Sequence, residues 1–373
     1  MKKGGLFAAV ATLTGTAIGA GFLGIPYVVA KAGFITGLVQ MIILALLIML
    51  VNLYIGEVIL RTKETHQLPG YASRYLGKWA RVLMVCAMIF GIYAAMTAYF
   101  IGEGQVLSFI FTGTLSYSVW FGLAFFVIIA LLVYKGIEAL KEGETFGLIA
   151  VLSIVVVLAI IFLPKINLAN LTYRTDNLIK WFLPYGVILF SFLSFSALPE
   201  VKQEISGNEH VFKKAIIIGA LIPLIAYIVF TIAVVGFTGK ATPEIATIAL
   251  GKIPSLLAVF TMFTACFALS NAIRDMYKLD LKIKHFWAWL LAVIVPFIGF
   301  LILTKYRLAT FVTAIEWGGA ICGGITGILA VLMLLKAKKL GDRKPEYTIH
   351  IDWIIATILI LVFAAGIIYQ FVF

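Results

Sequence analysis

Cysteine, histidine and charge are all scarce in this 373-residue chain: three cysteines, four histidines, and 12% charged residues. Cys86, Cys266 and Cys322 each fall within an apolar stretch, without the spacing of a metal site or a disulfide framework. They are expected to be packing residues. His66, His210, His285 and His350 lie in or beside the polar connections. No HExxH, no paired aspartates inside an apolar run and no Ser/His dyad accompany them, so an intramembrane enzyme is not expected. A GxxxxGK[ST] loop is also missing, which argues against a nucleotide-driven pump. The chain is therefore expected to be no enzyme and to need no cofactor.

Apolar residues dominate what is present: 63% of the chain is hydrophobic and the mean hydropathy is +1.10. Such values lie far from those of soluble domains. Stretches long enough to span a bilayer are predicted at roughly 6–33, 36–60, 82–112, 117–134, 144–163, 179–200, 213–237, 253–273, 286–304, 308–335 and 351–373. That is a single all-α polytopic membrane domain with eleven spans, whose partner is the lipid bilayer.

The formal net charge of +12 sits in short connections and forms no basic domain, so nucleic acid is not an expected partner. On one side of the predicted topology lie eight basic residues: Lys31, Lys165, Arg174, Lys180, Lys240, Lys252, Lys305 and Arg307. The other 21 of 29, including Lys2, Lys3 and Lys141, fall on the opposite side. The positive-inside rule places the N-terminus in the cytoplasm and, with eleven spans, the C-terminus outside, in a multi-pass protein of the cytoplasmic membrane. Met1-Lys2-Lys3 before an apolar stretch also has the outline of a cleaved signal peptide. That stretch runs past a normal signal core, and its removal would delete an unusual span.

The unusual span is the first, where GTAIGAGFLGIP, residues 15–26, sets four glycines and a proline inside the apolar run. Each interior glycine costs roughly 1 kcal/mol of helix propensity relative to alanine. An unwound backbone is tolerated in lipid only where it is buried in protein or lines a cavity. A binding site at mid-membrane depth is the expectation. Close helix packing through Gly15 and Gly19, four residues apart, is the competing explanation, but it does not account for Gly21, Gly24 and Pro26. A second disturbed span, LPYGVILFSFLSFSALPEV from Leu183, lies five spans later, and Gly24-Ile25-Pro26 recurs loosely as Ala197-Leu198-Pro199. Five being odd, a repeat with this period must be inverted: repeat one at about 6–163, repeat two at about 179–335, and an extra helix at about 351–373. Residues 66–81 are predicted to form a helix in the cytoplasmic interface, with Tyr71, Tyr75 and Trp79 on one face.

Three stretches carry a family resemblance: GTAIGAGFLGIPYVVAKAGF, LPGYASRYLG, and FSALPEVKQEISGNEHVFKKAIIIGALIPLIAYIVF. They resemble the amino acid permeases of the amino acid, polyamine and organocation superfamily, most closely the hydroxy and aromatic amino acid permeases and the amino acid/auxin permeases. The resemblance implies a leucine-transporter-type 5+5 inverted repeat with an eleventh transmembrane helix. It further implies a symporter for a neutral, aromatic or hydrophobic amino acid, with a proton or a sodium ion as coupling ion. A sensing receptor on the same fold is the alternative. The substrate carboxylate would meet the amides of Ala20 and Gly21, and its ammonium the carbonyls near Thr16, Ala17 and Gly19. Sodium-coupled relatives imply an ion between the carbonyls of Gly15 and Ile18 and the hydroxyls of Thr261 and Thr264.

Phe190, Ser191 and Ser194 in the sixth span, and Tyr93 and Tyr99 in the third, are pocket candidates by position. Glu103 and Glu316 are the carboxylates well inside predicted spans, and either is a candidate proton site or gate. Glu57 and Glu200, nearer span ends, are expected to pair with cytoplasmic lysines. The amino acid and the bilayer are the expected partners, with no obligate protein partner.

Overall fold

The computed structural model describes residues 5–135, 144–175, 178–279 and 282–372. Lys2, Lys3 and Lys141, used above for orientation, lie outside the described residues. Nearly all the rest is helix, as apolar sequence in lipid requires, since each backbone N–H and C=O must find its partner within the chain.

Ten helices among the described residues are long and apolar enough to cross a membrane, and one further pair, bent by 46°, makes an eleventh span. The bent pair is α1 (Leu6–Ala17) and α2 (Ile25–Ala32), joined through a 3-10 turn over Ala20–Gly24. Then come α3 (Phe34–Arg61), α4 (Leu68–Leu76), α5 (Lys78–Thr112), α6 (Ser118–Lys135) and α7 (Glu144–Phe162). Two short helices, α8 (Leu168–Thr172) and α9 (Leu178–Trp181), precede the sixth span, which is split into α10 (Pro184–Ser191) and α11 (Leu198–Glu204). The remaining spans are α12 (Phe212–Thr238), α13 (Lys252–Leu279), α14 (His285–Lys305), the tenth as α15 (Phe311–Gly318) and α16 (Gly324–Leu340), and α17 (Trp353–Val372).

The two interrupted spans, one and six, form the centre: α10 is buried along almost its whole length and packs on α2, α3 and α15. Outward faces carry large apolar side chains such as Ile43, Val127, Ile160 and Ile298, exposed as lipid contact demands.

The expected interfacial helix over 66–81 is two pieces instead. Gly77 adopts φ +96°, closing α4 and opening α5, and an L side chain at that φ would be strained. Tyr71 and Tyr75 are consequently buried against the bundle while Trp79 is exposed on the next helix.

The connection between the tenth and eleventh spans is fastened to the second. Glu57, fully buried, accepts from Arg61 Nε at 2.9 Å and from the Ile349 backbone N–H at 2.6 Å, with Lys338 Nζ 4.0 Å away. Tyr347 donates to the Leu53 carbonyl at 2.8 Å. Asp342 completes the strap by accepting from the Lys63 N–H and pairing with Arg74 of α4. Glu57 thus pairs with basic groups as expected, whereas Glu200 stays exposed and Glu204 accepts from Thr12 of α1 at 3.0 Å.

Candidate functional site

α1 stops because Ile18 leaves helical geometry, at φ −80° and ψ 66°. The Ile18 amide still reaches the Thr14 carbonyl at 2.8 Å, but the Gly19 amide turns back to the Ala17 carbonyl, also at 2.8 Å. Beyond the 3-10 turn α2 starts at Ile25, with Pro26 in its first turn, where a missing N–H costs nothing. The sixth span repeats the pattern. α10 ends at Ser191, a 3-10 turn covers Phe195–Ala197, and α11 starts at Leu198 with Pro199 in its first turn.

The ends of α1 and α10 meet at one side chain. The Tyr227 hydroxyl, on α12, lies 2.9 Å from the Ala17 carbonyl oxygen and 3.1 Å from that of Ser191. One hydroxyl proton serves both acceptors, and the Ala17 carbonyl also takes the Gly19 N–H. The Tyr227 ring stacks on Phe22 at 5.4 Å and packs against Phe192 at 5.1 Å, which fixes where the hydroxyl points.

Gly21 is where the two breaks touch. A Cβ there would stand 2.7 Å from Phe190 Cδ1 and 2.9 Å from Ser191 Oγ, so any side chain at this position would force its neighbours to shift. The Phe190 ring lies between Gly21 and Gly318 of the tenth span, and its Cβ and backbone stand against Gly319. Gly319–Gly323 form a π-turn between α15 and α16, a feature frequent at functional sites.

The other candidates are distributed as follows. Thr16 is exposed and donates to the Thr12 carbonyl at 2.8 Å; Ala17 and Ala20 are buried, and Gly15 and Gly19 are partly accessible. Ser191 donates to the Val187 carbonyl at 2.8 Å, and Ser194 accepts from Asn52 Nδ2 of α3 at 3.0 Å. Tyr99 and Tyr93 diverge. Tyr99 is buried with its hydroxyl against the Ala20 amide and 3.7 Å from a Cβ position on Gly19. Tyr93 instead donates to the Leu291 carbonyl at 3.0 Å and meets the Tyr277 hydroxyl at 2.6 Å, in a separate cluster of the third, eighth and ninth spans. Thr261 and Thr264 donate into their own helix, to Leu257 and Phe260 at 2.9 and 2.8 Å, leaving only lone pairs for a cation. Glu103 is buried with Oε2 unpartnered, and Glu316 is buried against Gly186.

Tyr227 and Asn52 are the polar groups at the breaks that sequence reasoning missed. Each is a lone polar residue in an apolar run, which leaves no periodic signal. For the π-turn the run Gly318-Gly319-Ala320-Ile321-Cys322-Gly323-Gly324 was the available sign.

An all-helical polytopic chain whose two interrupted spans turn backbone groups toward each other has the build of a membrane permease. Residues 2–250 match the tryptophan/tyrosine permease family, and the chain belongs to that family. It is similar to Glutamine transporter 2 of Aliivibrio fischeri, with 23% identity over 369 residues, covering 93% of this chain and 92% of the relative. It is also similar to Tyrosine-specific transport system 2 of Haemophilus influenzae, with 27% identity over 259 residues, 65% of this chain and 60% of the relative.

Proposed function

We propose that this chain is a secondary active symporter that moves a neutral amino acid across the cytoplasmic membrane, coupled to a proton or a sodium ion. One observation carries the reading: the last carbonyls of two half-helices, Ala17 and Ser191, converge on a single hydroxyl. Carbonyls at a helix end carry partial negative charge and suit an ammonium, while the amides that open the following turn, here Ala20 and Gly21, suit a carboxylate. A zwitterion matches both.

In this reading Thr16, Ala17 and Gly19 receive the ammonium, and Phe190, Ser191 and Ser194 border the side chain. Gly15, Ile18, Thr261 and Thr264 would hold a sodium ion if one is used. The matching sequence of break, 3-10 turn and proline-led helix in spans one and six supports the inverted five-plus-five repeat. With the N-terminus cytoplasmic, the exposed Thr16, Ser196 and Glu200 lie on the cytoplasmic side of the breaks, and the buried α2 and α10 on the outer side. That distribution supports a form accessible from the cytoplasm.

The relatives are named for glutamine and for tyrosine, so glutamine, tyrosine and tryptophan make the test panel. Uptake of each labelled amino acid into vesicles holding the purified protein, with proton and sodium gradients imposed separately, tests the reading. Accumulation of at least one is expected, abolished by Gly19→Leu. Binding without accumulation contradicts it.

A further inference from the structure

Resting on the symporter reading above, with a proton as its coupling ion, we propose that Glu103 is the residue that binds this proton, so that protonation of Glu103 favours closure of the half of the carrier containing α2 and α10.

Glu103 sits deep within α5 and is 1% exposed. Its Oε2 is fully enclosed without a hydrogen-bond partner, and no lysine, arginine or histidine forms an ion pair with it among the described residues. A carboxylate with one oxygen enclosed without a donor and no counter-charge paired to it is strongly disfavoured, whereas the protonated acid is tolerated. Position links it to the site. Tyr99, one helical turn earlier on the same face of α5, places its hydroxyl against the Ala20 amide.

Among the described residues the surroundings show no group paired with the charge. From α13 the titratable neighbour is Cys266, a buried thiol. At the adjacent Gly102, α15 presents Phe311 and α13 presents Met262. From α6 and α14, Phe125 and Phe300 pack on Phe100. In the π-turn Cys322 meets Gly91, three turns away, and from α16 Thr326 meets Met84. The tyrosines of α4, Tyr71 and Tyr75, are engaged with His66 and Thr62. The other carboxylates of this half are turned elsewhere: Glu316 lies against Gly186, and Glu244 reaches the Val312 amide. On α5 itself the charges are Lys78 and Arg81, at its far end.

With α2 and α10 open, the carboxylate takes a proton from water and is enclosed as the neutral acid; once the amino acid has left, loss of that proton to water on the opposite side leaves a charge that the enclosed site disfavours, which drives α2 and α10 open again.

The test uses sodium-free vesicles with the same amino acid panel. Wild-type uptake is expected to carry protons inward, read as alkalinisation of the outer medium. Glu103→Gln mimics the protonated acid. It is expected to keep exchange of internal for external amino acid within about threefold of wild type, and to lose proton-driven accumulation by about tenfold or more. Its uptake is expected to be flat between about pH 5 and 8, where wild-type uptake is not. The proposal is overturned if Glu103→Gln accumulates as wild type does, if it loses exchange together with accumulation, or if wild-type uptake moves no protons and follows sodium instead. The proton measurement needs no variant, so it stands even if Glu103→Gln does not fold. Wild-type vesicles that transport none of the panel contradict the symporter reading itself.

Discussion

The Tyr227 hydroxyl stands 2.9 Å from the carbonyl oxygen of Ala17, the residue at which the first helix of the chain ends. The same hydroxyl lies 3.1 Å from the carbonyl of Ser191, the last residue of α10. One phenol on a neighbouring span thus ties together the two helix ends that an ammonium would need. It supplies a donor that a buried carbonyl requires.

Removing that donor has a measurable consequence. Tyr227→Phe removes it from both carbonyls; Ala17 keeps the Gly19 N–H while Ser191 loses its side-chain donor, and a buried unsatisfied polar group costs about 1–3 kcal/mol. Thermal unfolding in detergent is expected to fall accordingly. A transported amino acid at saturation is expected to raise the unfolding temperature of Tyr227→Phe more than that of wild type, because its ammonium replaces the lost donor. An equal rise in both proteins would separate Tyr227 from the ammonium position.

The glycines of the first span are not equivalent. A Cβ on Gly21 would meet Phe190 at 2.7 Å, whereas one on Gly15 would meet nothing within 4 Å. Gly21→Ala is expected to lower uptake by about tenfold or more, and Gly15→Ala to leave it within about twofold. Pairing Gly21→Ala with Phe190→Leu is expected to recover part of the loss. Uptake rates of these variants, normalised to protein in the vesicle, decide the matter. Equal losses at Gly15 and Gly21 would favour general helix packing over contact between the breaks.

The strap after the tenth span gives a pH prediction outside the membrane. The Lys63 N–H, followed by the Arg74 guanidinium, holds the Asp342 carboxyl below its ordinary value. A lowered carboxyl pKa stabilises the folded form at all pH values above the ordinary aspartate range, and the effect fades only as pH falls through the lowered value. The strap is therefore expected to stay fastened across neutral pH. Asp342→Asn is expected to speed trypsin cleavage after Arg343 by about threefold or more. Unchanged cleavage would mean that Glu57 and Tyr347 hold the strap alone.

Eleven spans and the interruption of the first were legible because lipid imposes long apolar runs, and because glycine and proline depart from them in a recognisable way. Local backbone state was harder to read. Residues 66–81 have helical periodicity throughout, and only the left-handed turn at Gly77 separates α4 from α5. The site was half legible. Gly21 and Phe190 were chosen from sequence and lie in contact, whereas Tyr93 and Tyr99 were indistinguishable until the rotation of α5 set one toward Leu291 and the other toward Ala20. Tyr227 and Asn52 act through contacts remote in sequence, which no local pattern records.

The central claim is that the two interrupted spans bind an amino acid and carry it with an ion gradient. Its most direct test is the steady-state accumulation ratio of a labelled amino acid in vesicles, measured under an imposed gradient and again after an ionophore collapses it. The account predicts a ratio well above one that falls to one on collapse and stays at one with Gly21→Ala. A wild-type ratio that remains at one while the amino acid still binds would contradict it.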